Sequence, residues 1–393
     1  MLKRASEETR FALLLAFLVA TTPLAVDAYL PAIPSMAVFY QQSIQDVSTS
    51  VSLFLIGYAL GQLIGGPLSD RFGRRPLVIM GLSGFIIASL GITVTTQVEQ
   101  LWLLRILQAI SGGMATVTVG AMVRDRYDGQ KSAQVLSLIA LIMMSAPLLA
   151  PALGAAILHY LNWHSIFIFL ALYAAAVLAI CTLRLVETKP TRTPVHSQPS
   201  HWWHSYTSVL RHRQAMRYVI SVAFSFSAMF VFITDAAYIY MDYLGASSDW
   251  FPFLFGANIV TMMMCNRINI TLLKHHPRER ILRGGIIVQC IGTAGFTLVA
   301  LLGIEHLWSV LPFIMLSVGS LGLIGANAIS LTLSFFPNNS GAANAILGTS
   351  EFFCAGAIGT AVSMLPHNNL LPSAAGMLCC ALCSLLVLCY FKR

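Results

Sequence analysis

The chain is short of charge. Asp, Glu, Lys and Arg make up 10% of its 393 residues and hydrophobic residues 57%, against roughly 25% charged residues in soluble domains. Every second loop lacks positive charge altogether. Of 23 Lys and Arg, all but Arg105 and Arg267 fall at the two ends of the chain or in alternate loops. Short enzyme signatures are missing too: no His-Glu-x-x-His, no Gly-x-Ser-x-Gly and no phosphate-cradling glycine loop occurs, which makes a membrane-embedded enzyme the weakest reading. No cofactor and no metal is implied. His196, His201, His204 and His212 have no acid or cysteine beside them and read as interfacial packing. Cys380-x-x-Cys383 has a redox or zinc spacing, but it lies in an all-apolar stretch and reads as packing.

What is present is a series of apolar stretches of about 20 residues, the length that crosses a bilayer. They begin near Phe11, Val47, Leu77, Leu101, Val135 and Ile166, then near Tyr218, Phe251, Ile286, Trp308, Ala342 and Leu371. Cytoplasmic loops collect Lys and Arg, so the alternation predicts twelve spans with both termini inside. The net charge of +8 reads as topology, not as a nucleic-acid surface. The expected fold is all-α and polytopic, with two six-helix bundles at 1–184 and 217–393. A cytoplasmic linker joins them at 185–216, carrying Trp202 and Trp203 on a short amphipathic segment. Val26-Asp27-Ala28 could pass for a signal-peptidase site; the competing reading, an uncleaved first span running to about Pro34, is preferred. Gly61-x-x-x-Gly65 in the second span suits close helix packing. Bundles of this kind place substrate at the midplane and expose it alternately.

The sharpest motif is Gly66-Pro-Leu-Ser-Asp70-Arg71-Phe-Gly73-Arg74-Arg75-Pro76, between the second and third spans. It resembles the loop signature of the major facilitator superfamily. The resemblance narrows to the bicyclomycin-resistance (Bcr/CflA) drug-efflux group through Asp27-Ala-Tyr-Leu-Pro-Ala-Ile-Pro34, Arg105-Ile-Leu-Gln108, Arg124-Asp125-Arg-Tyr127 and Ala146-Pro147-Leu-Leu-Ala-Pro151-Ala-Leu-Gly154. It implies a cytoplasmic gate loop of Gly66, Asp70, Arg71, Gly73, Arg74 and Arg75, in which Asp70, linked to Arg71, Arg74 or Arg75 and set against the start of the eleventh span, latches the two halves together. It also implies that Pro147, Pro151 and Gly154 form an antiporter motif that seals against proton leak.

Two charges sit where charge is costly. An ionised acid inside a span costs roughly 2.5–3.5 kcal/mol, so it faces a partner or a water-filled space. Asp27 is therefore read as the proton carrier, with a structural hydrogen bond as the alternative. Arg105 must pair, hydrogen-bond or snorkel to the interface; the resemblance implies that it modulates proton release. Asp235 and Glu351 depart from the group's pattern. The hypothesis for them is recognition of cationic substrates or a second proton, with local hydrogen bonding as the alternative. Tyr29, Phe224, Phe232, Asp235, Tyr238, Asn258 and Glu351 are the candidate substrate-cavity residues.

The resulting expectation is a monomeric, proton-coupled drug antiporter of the bacterial inner membrane. Its partners would be small lipophilic substrates, protons and the bilayer, and the proton gradient would drive it. A dedicated exporter of an amino acid, peptide or siderophore is the alternative.

Overall fold

Bilayer hydrocarbon supplies no hydrogen bonds, so a spanning backbone of this composition is confined to helices. The computed structural model is helical, with no strand among the described residues. The structure describes residues 2–127, 129–188, 206–304, 306–336, 340–366 and 368–390. Trp202, Trp203, His196, His201 and His204 lie outside them.

The helices are α1 (Leu2–Asp27), α2 (Ile33–Tyr40), α3 (Ile44–Phe72), α4 (Arg74–Ile92), α5 (Val98–Thr116), α6 (Thr118–Arg126), α7 (Gly129–Tyr160) and α8 (Trp163–Arg184). The second half contributes α9 (Arg213–Ala237), α10 (Phe251–Leu272), α11 (Arg278–Leu301), α12 (Leu307–Gly319), α13 (Leu321–Ser334), α14 (Ser340–Ser363) and α15 (Leu371–Tyr390). Several spans are helix pairs end to end, so the first apolar stretch continues past Pro34 to Tyr40. Among the described residues eleven helical segments are long and apolar enough to cross a membrane. The twelfth expected span is α10, a 22-residue helix whose Asn258, Asn266, Arg267 and Asn269 dilute its apolar character.

The chain divides into two compact units. The first comprises Met1–Gln42 with Leu53–Thr193, and the second comprises Ser43–Ser52 with Pro194–Arg393. The expectation gave the whole second span to the first bundle; the structure gives its first ten residues to the second unit. Hydroxyl pairs account for that: Thr49 meets Ser363 at 2.8 Å and Ser52 meets Thr234 at 2.8 Å.

In the first unit α4 packs between α5 and α8, and α1 lies along α7. Glycines on α3 let it press onto the backbone of α5. A Cβ at Gly57 would lie 2.6 Å from the Ile106 carbonyl oxygen, and one at Gly61 would overlap that of Ile110. In the second unit α9 is the central helix, packed by α14 and α15. Polar contacts pin it: Ser221 and Ser225 bond to Ser384 at 3.0 and 2.9 Å, and Gln289 donates to the Ser225 carbonyl at 3.0 Å. His212 caps the start of α9 by accepting the Ala215 N–H at 3.2 Å. Such interhelical hydrogen bonds stabilise by about 0.6 kcal/mol each on average.

The packed glycine stripe gives a direct test. Gly61→Leu forces α3 off α5 against backbone atoms, which cannot rotate away. It is expected to lower the melting temperature and the yield of detergent-solubilised protein, whereas Gly245→Ala, at a turn with open space around it, is expected to lower stability less.

Candidate functional site

Prolines decide where the first span breaks. Pro31 has no N–H to offer the carbonyl of Asp27 four residues before it, and α1 ends at Asp27. The chain then turns through Ala28 and Tyr29 into a 3-10 turn at Leu30–Ala32 before α2 resumes. The carboxyl is thus set at a helix break inside an apolar span. Asp27 is 4% exposed, and among the described residues its side chain has no hydrogen-bond or ion-pair partner.

The break is seated on α7. A Cβ added to Gly154 would coincide with the carbonyl oxygen of Ala28 and come within 2.7 Å of its carbonyl carbon. Pro147 and Pro151 lie on the same helix, Pro151 buried and Pro147 partly so. The segment Pro147–Gly154 is therefore in backbone contact with the turn that follows the acid. Only a residue with no side chain allows so close an approach.

Arg105 is enclosed, which removes the snorkelling alternative: it is 0% exposed. Its guanidinium lies 4.4 Å from the Tyr29 ring centre, 4.4 Å from that of Phe54 and 6.0 Å from that of Phe167. Nη1 donates to Gln108 at 2.6 Å, and Gln108 donates on to Ser89 at 2.7 Å. Nε and Nη2 have no acceptor among the described residues. The cation is held by aromatic faces and one amide rather than by an acid. A desolvated cation–π contact contributes about 2 kcal/mol, so two close rings offset much of the burial. Tyr29 is one wall of this cage, beside Asp27 in sequence and itself 0% exposed.

The loop after α3 forms a second cluster. Arg74 Nη1 bonds to Asp70 at 2.5 Å and to Ser69 at 2.6 Å, and its Nε bonds to Asp125 at 3.1 Å. Asp70 pairs with Arg74, one of the three arginines expected to hold it, and its side chain is 71% exposed. Gly73 takes a φ of 104°, a conformation that glycine adopts without strain. Arg71 stacks on Phe72 at 5.3 Å, and Arg75 donates to the Thr182 carbonyl at 2.8 Å. Glu187, just past α8, accepts the backbone N–H groups of Arg74 and Arg75 at 3.0 and 3.1 Å, capping α4 from more than a hundred residues away. A Cβ on Gly73 would lie 2.6 Å from that carboxylate. No local pattern in the sequence marks Glu187 for this task.

The second unit separates the remaining candidates. Phe232 stacks with Phe255 and meets Tyr240 edge-on, and Asn258 donates to Tyr240 at 3.2 Å. These are members of one packed aromatic column. Tyr238 donates to the Asn369 carbonyl at 3.3 Å, at the start of a π-helical turn. Asp235, 1% exposed, accepts a 2.6 Å hydrogen bond from Ser373 of α15. Phe224 is partly buried. Glu351 on α14 is partly buried and makes no hydrogen bond or ion pair among the described residues. The described residues contain no group of three or more His, Cys, Asp or Glu placed to hold a metal.

Residues 15–360 match the sequence profile of the Major Facilitator Superfamily. The chain is 28% identical over 376 residues to a bicyclomycin resistance protein homologue from Haemophilus influenzae, covering 96% of this chain and 94% of that protein. It is 30% identical to a chloramphenicol resistance protein from Pseudomonas aeruginosa, over 89% of this chain and 83% of the relative. Its fold is similar to that of the xylose transporter XylE from E. coli, with a TM-score of 0.77 at 15% identity, covering 99% and 98% of the two chains.

Two substitutions test the site's construction. Glu187→Ala removes the cap on α4 and is expected to cost about 1 kcal/mol, read as a lower melting temperature in detergent, with Glu187→Gln intermediate. Gly154→Ala is expected to lower both stability and transport, because the clash falls on backbone; transport at the wild-type level would show that the turn at Asp27 tolerates displacement.

Proposed function

The chain belongs to the Major Facilitator Superfamily, and we propose that within it the protein is a proton-coupled multidrug efflux antiporter working by alternating access. It is a multi-pass protein of the bacterial inner membrane, and its relatives and structural neighbours are transporters rather than enzymes. The relatives named for resistance to bicyclomycin and chloramphenicol support small, lipophilic drugs as substrates. The family works without a resident cofactor, so the energy is assigned to the proton gradient.

The observation that carries the reading is Asp27: a buried carboxyl at a helix break, with no partner among the described residues and with its turn seated on Gly154. An acid so placed is held in register by backbone contacts while its side chain stays available for a proton. Taking up a proton cancels a charge that costs roughly 2.5–3.5 kcal/mol within a span. Each proton moving inward gains about 2.3 kcal/mol per 100 mV of membrane potential. In the proposed cycle a proton arriving from outside loads Asp27 and favours drug release outward; proton loss inside restores drug binding. Arg105, fixed in its cage, places a stationary positive charge against Tyr29, a residue of the turn that follows Asp27.

The test is a resistance panel together with everted vesicles. Asp27→Asn, at normal membrane abundance, is expected to reduce resistance to that of the host lacking the protein and to abolish drug-dependent proton release. Wild-type vesicles that release no protons on drug addition would remove proton coupling.

A further inference from the structure

The structure gives the two unusual acids of the second unit different roles. Asp235 is 1% exposed and bonded to Ser373, which accounts for it as a link between α9 and α15. Glu351 has no such account. Along α14 the exposed apolar side is marked by Phe353 at 48% and Met364 at 70%. At 3.6 residues per turn Glu351 lies about 200° around the helix from Phe353, so it is on the interior side. It is partly buried there, with no hydrogen bond or ion pair among the described residues. Arg105 belongs to the other unit and is already caged by Tyr29 and Phe54, and Arg217, buried at the start of α9, is paired with Glu279 at 2.7 Å.

Aromatic rings occupy the same level of the unit. Phe352, the next residue, meets Phe226 of α9 edge-on at 5.3 Å and Phe230 at 6.4 Å, and Phe226 and Phe230 are 4.9 Å apart. Phe226 and Phe352 are themselves partly exposed. An acid with partly exposed rings on its own helix and on the helix packed against it is a combination that recognises an organic cation: the acid answers its charge and the rings its delocalised, weakly hydrated surface. An uncompensated intramembrane acid is by default a functional group, and the missing partner here is a positive one.

We propose that Glu351, with Phe226 and Phe352, forms a recognition subsite for lipophilic organic cations on the interior side of α14. The proposal rests on the efflux reading above and deepens it, giving the transporter a substrate class beyond neutral drugs. It leaves proton coupling with Asp27.

The experiment compares tetraphenylphosphonium with chloramphenicol. Equilibrium dialysis on purified, detergent-solubilised protein measures binding of each, and growth assays measure resistance to each, for wild type, Glu351→Gln, Glu351→Asp and Phe226→Leu. Glu351→Gln is expected to weaken tetraphenylphosphonium binding by about tenfold, about 1.4 kcal/mol. The ratio of cation to chloramphenicol resistance is expected to fall with it. Glu351→Asp, which keeps the charge, should restore much of the binding, and Phe226→Leu should weaken it in part. Cation binding unchanged in Glu351→Gln overturns the proposal. So does an equal loss for both drugs at normal abundance, which assigns Glu351 to the transport cycle instead. A wild type that exports chloramphenicol but never binds the cation also overturns it while leaving the efflux reading intact. Binding of both compounds without resistance to either would instead sink the efflux reading.

Discussion

Charge inside a bilayer needs a compensating arrangement, and that constraint organises this molecule. Its spans enclose few ionisable groups, and each is treated differently. Arg105 is wrapped in rings and bonded to one amide. Asp235 accepts a hydrogen bond on one oxygen from a serine of the neighbouring helix. Asp27 and Glu351 are left without partners among the described residues. A protein that cages an arginine so thoroughly leaves these two acids open, and on the proposed reading they are where something from outside the chain is received.

The acid at the helix break and the proline-rich seventh helix form one device. Pro31 ends α1 beneath Asp27, and Gly154 receives the buried turn that follows. Either feature alone is commonplace in membrane helices. Together they fix the height of the carboxyl through backbone atoms, which do not change rotamer.

Much of this was legible in the sequence. Apolar length and the spacing of Lys and Arg give the helices, and the prolines around residue 30 announce a break. Asp27, Arg105 and the loop motif stand out because each violates a local rule: acid in a span, arginine in a span, glycines at fixed offsets. What could not be read was partnership between distant segments. Nothing near Arg105 predicts Phe54 and Phe167 as its walls, since phenylalanines are abundant and only folding selects two. Glu187 looked like an ordinary acid after a span. Asp70 could be paired in advance only with Arg71, Arg74 or Arg75, and the choice of Arg74 depends on the turn that Gly73 makes between the two helices. The first ten residues of the second span also defied the pattern, because Thr49 and Ser52 look unremarkable until Ser363 and Thr234 are brought beside them.

The reach of Glu187 to the start of α4 has a temporal meaning. A ribosome delivers the chain from its first residue, so α4 enters the membrane with its leading amide groups uncovered. They stay so while three further crossings are made. Only when the stretch after α8 emerges does the carboxylate arrive for Arg74 and Arg75. Completion of the first half and locking of its signature loop are therefore a single event in the protein's biosynthesis, and a nascent chain stalled before that point carries the motif without its finished shape.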